Sequence, residues 1–560
     1  MTVTAPDYTA RILGVGGGPD VPVSMRTDAG SITLDVASAP HVSGAGITLA
    51  LPDAALLDAL DPRDSRRLVI DAGGRTFDLG IREATPNHGD ATVVVELASD
   101  EALLDDFAQD FDDAGPRAHE ASLRAVTGYV LGSIGAALQP GGPDADVTCY
   151  WEVALLNSNP AGILNAAGYW HGTGASGLTS VAVVSPAPAL GGRTVRWTAA
   201  AGVSSVGVAG WDGVSTTKEG RVTPGKPYSA VVRVLSNPGR STTVTIGFRD
   251  ENGKHFSNAV SPAQVTSITA WTEFHLSAVA PAGAAYAYAV VTTNGNTAGQ
   301  NHWVQAMLYE GADRIPMFYG DSTGGGYTYA WSGDANASPC TRTPVIERPL
   351  ESLTWQAGVS GLAFLRPLLI AAGIRLVCDE ARLWTLRDDT YRADGAQTYR
   401  VGVNITQVDE KLSRAAEEWF DGMVVQYTWT DADGIEQTRY DSYALTANPT
   451  KTIRREVAAP YPGPGRAQYA VTRAQGRGRT VTVTRQAHWD EHAEQPLSVL
   501  LDGTPIQTGL AEKVTFDLAG NTVTTSSRTT DTPAEAWQLI PAGEAWLDSP
   551  IGASWTEEVP

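Results

Sequence analysis

At 560 residues the chain is too long for one hydrophobic core, and about three to five domains are expected. Its 58 Gly and 33 Pro favour turns and strands, so the composition predicts a mainly β protein with a few short helices. The 62 acidic residues outnumber the 40 basic ones, and the formal charge of −22 argues against nucleic acid or anionic lipid as a partner.

The cysteines and the hydropathy pattern indicate the kind of compartment in which the chain folds. Cys149, Cys340 and Cys378 are far apart and form no CxxC pair, which argues against a disulfide framework or a zinc module. The segment Met1–Arg11 lacks the cationic and apolar parts of a signal peptide, and apolar runs stay far below the roughly 18 residues of a membrane span. We therefore expect a chain made in a reducing compartment, without its own secretion signal or a transmembrane segment.

The first part of the chain predicts a small β barrel or sandwich over residues 1–112. Short strands alternate with turns there, and one short helix is expected at Pro52–Leu60. In the next segment, 113–157, apolar residues recur every three or four positions from Leu123 to Leu138. This spacing predicts a helix that packs on a sheet.

A second strand-rich block without helices covers residues 158–315 and predicts a β sandwich. A Gly-, Ser- and Thr-rich connector follows at 316–346. Tyr327, Tyr329 and Trp331 alternate within it, and we expect this aromatic side to dock on a neighbour.

The last part of the chain returns to mixed and β patterns. Segment 347–410 predicts a helix at Leu362–Ala372 and a hairpin with its turn at Asp379–Arg382. Segment 411–530 predicts a second β domain, with a hairpin turn at Asp431–Gly434 and short strands up to Ser526. Residues 531–560 form a Pro-, Trp- and acid-rich tail.

Six phrases on either side of the middle block resemble tail hub or minor tail proteins of siphophages that infect actinobacteria. They are LDPRD (60–64), FDLG (77–80), ELASDEALL (96–104), LVCDEARLWT (376–385), WFDGMVVQY (419–427) and YPGPG (461–465). The resemblance implies hub-type β-barrel domains split by an inserted domain. It also implies a virion protein of the tail tip or baseplate, made in the host cytoplasm, that forms a ring, usually a homotrimer, and closes the tail tube. Its other partners would be distal tail, tape-measure and further minor tail proteins.

The middle block, from about 158 to 312, resembles the jelly-roll carbohydrate-binding modules that such tail proteins carry, and 321–338 resembles the connector that follows them. This resemblance implies host recognition through a cell-surface glycan. Many of these modules hold a structural calcium ion through an acidic residue of the last strand, but Gln305 stands there, and 165–170 lacks the acidic partner. No cofactor is predicted, and a structural calcium ion stays an open alternative.

Sugar binding needs flat aromatic faces with polar groups beside them, because the apolar face of a sugar ring packs on an aromatic ring. Three pairs in or near predicted turns have this character: Trp170 with His171, Trp211 with Asp212, and His255 with Phe256. The alternative for each is a core or strand-edge position, since buried Trp often simply packs.

The sequence predicts no enzyme. A glycosidase needs two facing carboxylates, but the acidic runs at 105–106, 112–113 and 417–418 lie in no catalytic motif and are typical of solvated surfaces. The HWDEH run at 488–492 has Trp489 where the HExxH metal motif has glutamate, so no metal site is predicted. The rival hypothesis is a cell-wall or polysaccharide hydrolase with an appended binding module. In a third hypothesis the jelly roll binds no sugar and only decorates the tail or contacts another tail protein.

Overall fold

The computed structural model describes residues 8–14, 19–26, 29–51, 55–158, 160, 170–173, 175–182, 193–209, 219–267, 269–415, 418–475, 479–501 and 507–531. The chain is mainly β, as predicted. It divides into two compact units: unit 1 is Met1–Cys149 with Arg348–Pro560, and unit 2 is Tyr150–Glu347.

Unit 1 contains a 13-stranded sheet to which both of its segments contribute. The strands of the first segment are β1 (Tyr8–Ile12), β2 (Val21–Val23), β3 (Ser31–Asp35), β4 (Val42–Ala50), β5 (Arg67–Ala72), β6 (Arg75–Asn87) and β7 (Thr92–Ala98). Those of the second are β24 (Gln397–Arg400), β25 (Gln407–Leu412), β29 (Arg479–Gln486), β30 (Pro496–Leu500), β31 (Gln507–Asp517) and β32 (Thr522–Asp531). The main path runs β2-β1-β5-β6-β7-β4-β3-β31-β32-β29-β25, and β24 and β30 pair beside β31.

The two segments meet where β3 pairs antiparallel with β31, with Ile32 opposite Phe516. Both strands alternate buried apolar and partly exposed polar residues, so their apolar sides face one core. That core contains Ile32 and Leu34 of the first segment with Val514 and Phe516 of the second. The pairing therefore makes the two segments of unit 1 parts of a single folded body.

The rest of unit 1 is a set of smaller elements. Its helices are α1 (Ala55–Ala59), α2 (Glu101–Asp106), α3 (Leu123–Gly132), α4 (Gly361–Ala371) and α5 (Arg466–Gln475), with 3-10 turns at Pro62–Asp64, Gly115–His119 and Leu350–Leu353. Strands β22 (Arg375–Cys378) and β23 (Trp384–Arg387) form a hairpin. Strand β26 (Gly422–Thr430) pairs antiparallel with β27 (Glu436–Ala444) and parallel with β28 (Thr452–Ala458).

Two sequence predictions for unit 1 need correction. The helix from Leu123 ends at Gly132, because Gly132 and the positive φ of Gly135 interrupt it before Leu138, which instead bridges Trp384. The short strands expected up to Ser526 are interrupted by α5, a helix that the sequence reading missed. The prediction of α4 is confirmed to within one residue.

Unit 2 is built on two facing sheets. The five-stranded sheet has the order β10 (Ala175–Ala182), β11 (Arg193–Ala199), β19 (Gln300–Glu310), β13 (Pro227–Asn237) and β17 (Thr272–Val279). The six-stranded sheet has the order β15 (His255–Val260), β14 (Ser241–Arg249), β18 (Tyr286–Asn296), β12 (Gly202–Ala209) and β9 (Trp170–Thr173), with β16 (Gln264–Val265) beside β14. Their inward side chains, among them Trp197, Val232 and Phe248, share one core.

The predicted connector folds onto unit 2 itself. Strands β8 (Val153–Ala154), β20 (Tyr327–Trp331) and β21 (Cys340–Pro344) form a three-stranded sheet. Tyr329 packs near Phe318 at 5.7 Å between ring centroids, and Phe318 belongs to a cluster with Met307 of β19 and Val231 of β13. The aromatic side of the connector thus has a partner inside its own unit, on the five-stranded sheet.

Candidate functional sites

Three of the phrases that carry the family resemblance come together in an ionic network around the buried carboxylate of Asp100. Asp100, in the phrase at 96–104, is 5% exposed and accepts from Nη1 of Arg67 at 2.6 Å and from Nε of Arg382 at 2.9 Å. Arg67 also pairs with Asp78, in the phrase at 77–80, at 2.6 Å. Arg382 lies in the phrase at 376–385, almost 300 residues further along the chain. Each charge is matched, so the network joins the two segments of unit 1.

Backbone hydrogen bonds tie the same phrases together. Glu101 accepts from the Cys378 backbone N–H at 2.7 Å and from the Ser99 hydroxyl at 2.5 Å. The Asp78 N–H donates to the Glu380 carbonyl at 2.8 Å. Burial raises the pKa of the Glu101 carboxyl and the pKa of the Cys378 thiol. Groups of this kind stabilise a fold, since a buried polar atom is retained only when it is hydrogen-bonded. We call the contacts of Arg67, Asp78, Asp100, Glu101, Cys378, Glu380 and Arg382 the framework joint.

The two remaining phrases of the second segment also meet. Asp421, in the phrase at 419–427, accepts from the backbone N–H groups of Thr450 and Lys451 at 2.8 Å each. Tyr427 of the same phrase packs edge-on against Tyr461 of YPGPG, with ring centroids 5.5 Å apart. These residues fix the turn before α5 and the edge of β26.

The acidic runs considered for glycosidase chemistry are occupied with structural contacts wherever the structure describes them. Asp105 accepts from the Ser360 hydroxyl at 3.0 Å, and Asp106 pairs with Arg82 at 2.5 Å. Asp112 and Asp113 accept backbone N–H groups, from Ala357 at 2.9 Å and from Gly115 at 2.7 Å. Glu418 pairs with Lys411 at 2.5 Å, and Glu417 lies outside the described residues.

The cysteines and the HWDEH run have no catalytic setting in the described part of the chain. All three cysteines are free and buried, and burial raises the pKa of Cys149 to about 11 and that of Cys340 to about 12. Such thiols carry little thiolate near neutral pH and are poor nucleophiles. His488 and His492 lie in irregular backbone on either side of a turn, not on a helix, and no metal-binding cluster occurs among the described residues. Within those same residues, no helix is long and apolar enough to cross a bilayer.

The six residues predicted for sugar binding are not brought together. Trp170 is 1% exposed and belongs to the sandwich core, opposite Val208 of β12, so its ring is not accessible to solvent. His171 is exposed on β9, one edge of the six-stranded sheet, whereas His255 and Phe256 are exposed on β15, the opposite edge. Four strand spacings separate these edges, about 19 Å. Trp211 and Asp212 lie outside the described residues.

The outer face of the six-stranded sheet carries an aromatic and basic cluster that was not predicted from the sequence. Tyr288, near the start of the central strand β18, is half-buried and lies against the guanidinium of Arg249, whose Cζ is 4.9 Å from the ring centroid. The His255 ring meets it edge-on, at 6.1 Å. Burial raises the pKa of the Tyr288 hydroxyl, so it stays protonated at neutral pH and can donate a hydrogen bond. We call Tyr288, Arg249 and His255 the Tyr288 cluster.

A glycine makes room for this cluster. A Cβ built on Gly247 of β14 would lie 2.2 Å from the Tyr288 ring, so the ring lies flat against the Gly247 backbone. Gly247 pairs with Tyr288 on one side and with Asn258 on the other, which extends the outer face with an exposed amide. The only sequence signal was the alternation of Tyr286 and Tyr288 along one strand, which by itself is typical of any half-buried strand.

Some solved structures are similar to nearly the whole chain, and others are similar to part of it. No protein-family model matches the chain, and a search of curated proteins found no match. A 43 kDa tail protein of prophage MuSo2 from Shewanella oneidensis is similar over 93% of this chain and 98% of its own, with 10% identity and a TM-score of 0.39. A tail protein from Neisseria meningitidis MC58 is similar over 94% of this chain and 97% of its own, with 8% identity and a TM-score of 0.37. A CBM22-1 xylan-binding domain from Paenibacillus barcinonensis is similar over 30% of this chain and all of its own, with 11% identity and a TM-score of 0.22.

Proposed function

We propose that the chain is a structural protein of a phage tail tip, a hub or minor tail protein, in which unit 1 is the framework and unit 2 contacts host-surface glycan. The observation that carries the proposal is the framework joint. The phrases that resemble tail hub proteins are far apart in the sequence, yet three of them supply the matched charges that join the two segments of unit 1. Residues with a structural task of this kind suit a protein whose function is assembly.

Assembly into a ring would rest on distributed contacts between copies. A ring forms when a heterologous interface closes by rotational symmetry, and no single residue needs to dominate it. The strong acidic excess of the chain would keep free copies soluble before assembly. The expected assembly is a homotrimer, held with other tail proteins.

The Tyr288 cluster supports the glycan part of the proposal. An aromatic ring with a hydroxyl donor, a guanidinium and an exposed amide beside it offers both the apolar platform and the polar groups that a pyranose requires. The described part of the connector packs on the five-stranded sheet, whereas the Tyr288 cluster lies on the outer face of the six-stranded sheet. The connector therefore lies on the opposite side of the sandwich from the cluster. Weak binding at each copy would be multiplied by the copies in a ring.

Size-exclusion chromatography with light scattering on the full chain tests the assembly. We expect the mass of a closed oligomer, a trimer, that does not grow with concentration. A monomer at every concentration, or an open series of growing oligomers, would argue against a ring. A glycan array probed with the assembled oligomer tests the adhesion part, and no binding to any glycan would remove it. Release of reducing sugar from host cell wall would favour the rival hydrolase hypothesis.

A further inference from the structure

An arginine-lined groove in unit 1 stands out against the acidic composition of the chain. It has a volume of about 330 Å³ and lies among α4, α5, β22 and β26. Five arginines line it, and no Asp or Glu does among the described residues; the arginines are Arg366, Arg375, Arg455, Arg466 and Arg473. Its floor is apolar, with Leu369, Ile374, Phe420 and Tyr469 among the lining side chains. We call this hollow the arginine groove.

One arginine of the groove has buried donors that the fold does not use. Arg375 pairs with buried Glu494, yet its Nε and Nη1 are buried without a hydrogen-bond partner. Arg366 is exposed on α4. Buried unsatisfied donors are costly, and an incoming carboxylate would relieve that cost. The groove therefore fits a ligand that combines an apolar ring with negative charge.

The described part of the chain stops near a second hollow that adjoins this groove. Strand β32 ends at Asp531, and Arg528, three residues earlier, lines a second hollow of about 420 Å³. Arg473 lines both hollows, so they adjoin. Nη1 of Arg528 is also buried without a hydrogen-bond partner. A segment that continues from Asp531 begins near a hollow lined by Arg392, Arg473 and Arg528, in which Asp389 pairs with Arg473.

The sequence of 532–560 has the complementary chemistry. It contains five acidic residues and neither Lys nor Arg. Its tryptophans, Trp537, Trp546 and Trp555, recur every nine residues, and the motif Glu-Ala-Trp-x-x-x-Pro-x-Gly occurs twice, from Glu535 and from Glu544. In an extended chain the Glu and the Trp two positions later lie on the same side. Each repeat can thus present an indole ring and a carboxylate together.

We propose that the arginine groove is a docking site for the segment 532–560 of this chain, with one indole ring in the apolar floor and the adjacent carboxylate on the arginines. A cavity of roughly 150 Å³ holds a benzene molecule, so the volume of the groove accommodates an indole. Arginine over the face of a Trp ring adds a cation–π contribution. The inference goes beyond the proposed tail-tip function and does not depend on it.

Photo-cross-linking of the full-length protein tests the docking. The photoreactive amino acid p-benzoylphenylalanine replaces Trp537, Trp546 or Trp555 in turn, and mass spectrometry locates the cross-linked residues after irradiation. We expect at least one variant to cross-link to α4 or α5, within the chain or in a second copy. Cross-links confined to other surfaces, or none from any of the three positions, would overturn the proposal.

Charge-reversal variants provide a second test of the docking. Arg366→Glu with Arg455→Glu should reduce the cross-link at least about tenfold, because like charges would then face each other. Arg454→Glu is the matched control: it is the neighbour of Arg455 on β28, it does not line the groove, and it should leave the yield unchanged. Changing Glu535 and Glu544 to Lys in the double variant should restore the cross-link. Equal yields in the double variant and the control would contradict the proposal.

Discussion

Tyr288 is the residue on which the proposed glycan contact depends most. Tyr288→Ala should weaken retention of the full-length protein on host cell-wall polysaccharide by on the order of tenfold, because the ring supplies the apolar platform. Gly247→Val should have the same effect, since a Cβ there would displace the ring. Affinity electrophoresis measures both.

The control for this prediction is Tyr440→Ala. Tyr440 is 58% exposed on β27 of unit 1, so the same substitution there removes an accessible ring outside unit 2. Retention should be unchanged. If Tyr288→Ala retains the protein as well as Tyr440→Ala does, the Tyr288 cluster is not the binding face.

His41 should make the stability of unit 1 depend on pH. Its Nδ1 donates to the Asp35 carbonyl at 2.9 Å, and burial with the nearby Arg387 charge lowers its pKa to about 4. The unfolded chain takes up this proton below its ordinary pKa of 6.5, whereas the folded chain does not until about 4. The free energy of unfolding should therefore fall by on the order of 3 kcal/mol as the pH drops through this window.

Urea denaturation of the wild type and of His41→Gln between pH 7 and pH 4 measures this contribution. Carboxylates with a lowered pKa, such as Glu494, weaken both proteins alike as the pH falls, so the difference between the curves isolates His41. The variant should show the flatter dependence. Parallel curves would mean that His41 is protonated in the folded state.

The sequence showed which residue types suit sugar binding, but it did not show where their side chains lie in the fold. Trp170 looked like a sugar platform beside a turn, but alternation along β9 sends its side chain into the core and leaves His171 outside. Tyr288 carried no distinguishing signal, because its role depends on Gly247 and Arg249 of the neighbouring strand, 40 residues away. Pairing across a sheet is set by register, which one sequence does not reveal.

Among the elements of unit 1, the framework joint should contribute most clearly to stability. Asp100→Ala removes one of the two carboxylate partners of buried Arg67 and the partner of the more exposed Arg382. It should destabilise unit 1 by about 2–3 kcal/mol, since hydrogen bonds to a buried charged group are lost. Asp106→Ala, at the other end of α2, removes an ion pair that is 56% exposed at the carboxylate. It should cost no more than about 1 kcal/mol.

Thermal or urea unfolding followed by circular dichroism distinguishes the two variants. A loss for Asp100→Ala that exceeds the loss for Asp106→Ala by about 1–2 kcal/mol supports the joint as the link between the segments. Equal losses for Asp100→Ala and Asp106→Ala would show that the two segments are held together by other contacts.

Helices show why the elements were only partly predictable. The apolar residues of α4 gave a strong helical pattern, and the sequence predicted its bounds closely. The apolar residues that α5 buries at helical spacing are all small: Ala467, Val471 and Ala474. Its first turn is capped from outside: Asp441 of β27 accepts from the Ala467 N–H at 2.8 Å. A cap supplied by a distant strand leaves no local signature.

For the whole molecule, the account predicts that unit 1 does not need unit 2 in order to fold. The ends of its two segments are held together, since Arg348 donates to the Thr148 carbonyl at 2.6 Å and the Cys149 thiol lies 3.4 Å from the Pro349 carbonyl. Replacing residues 150–347 by a Gly/Ser linker of about four residues should therefore leave a folded protein.

Hydrogen exchange measured by mass spectrometry checks this prediction. Protection in β3 and β31, where the two segments pair, should match that in the full chain. Loss of protection in both strands after excision would mean that unit 2 is an integral part of the core of unit 1.

The central claim is that this chain is part of the tail tip of a phage. Immunogold electron microscopy of intact virions, with an antibody against unit 2, tests it most directly. The account predicts gold at the far end of the tail, on particles purified away from free protein. Label on the capsid, or virions that carry no label at all, would contradict it.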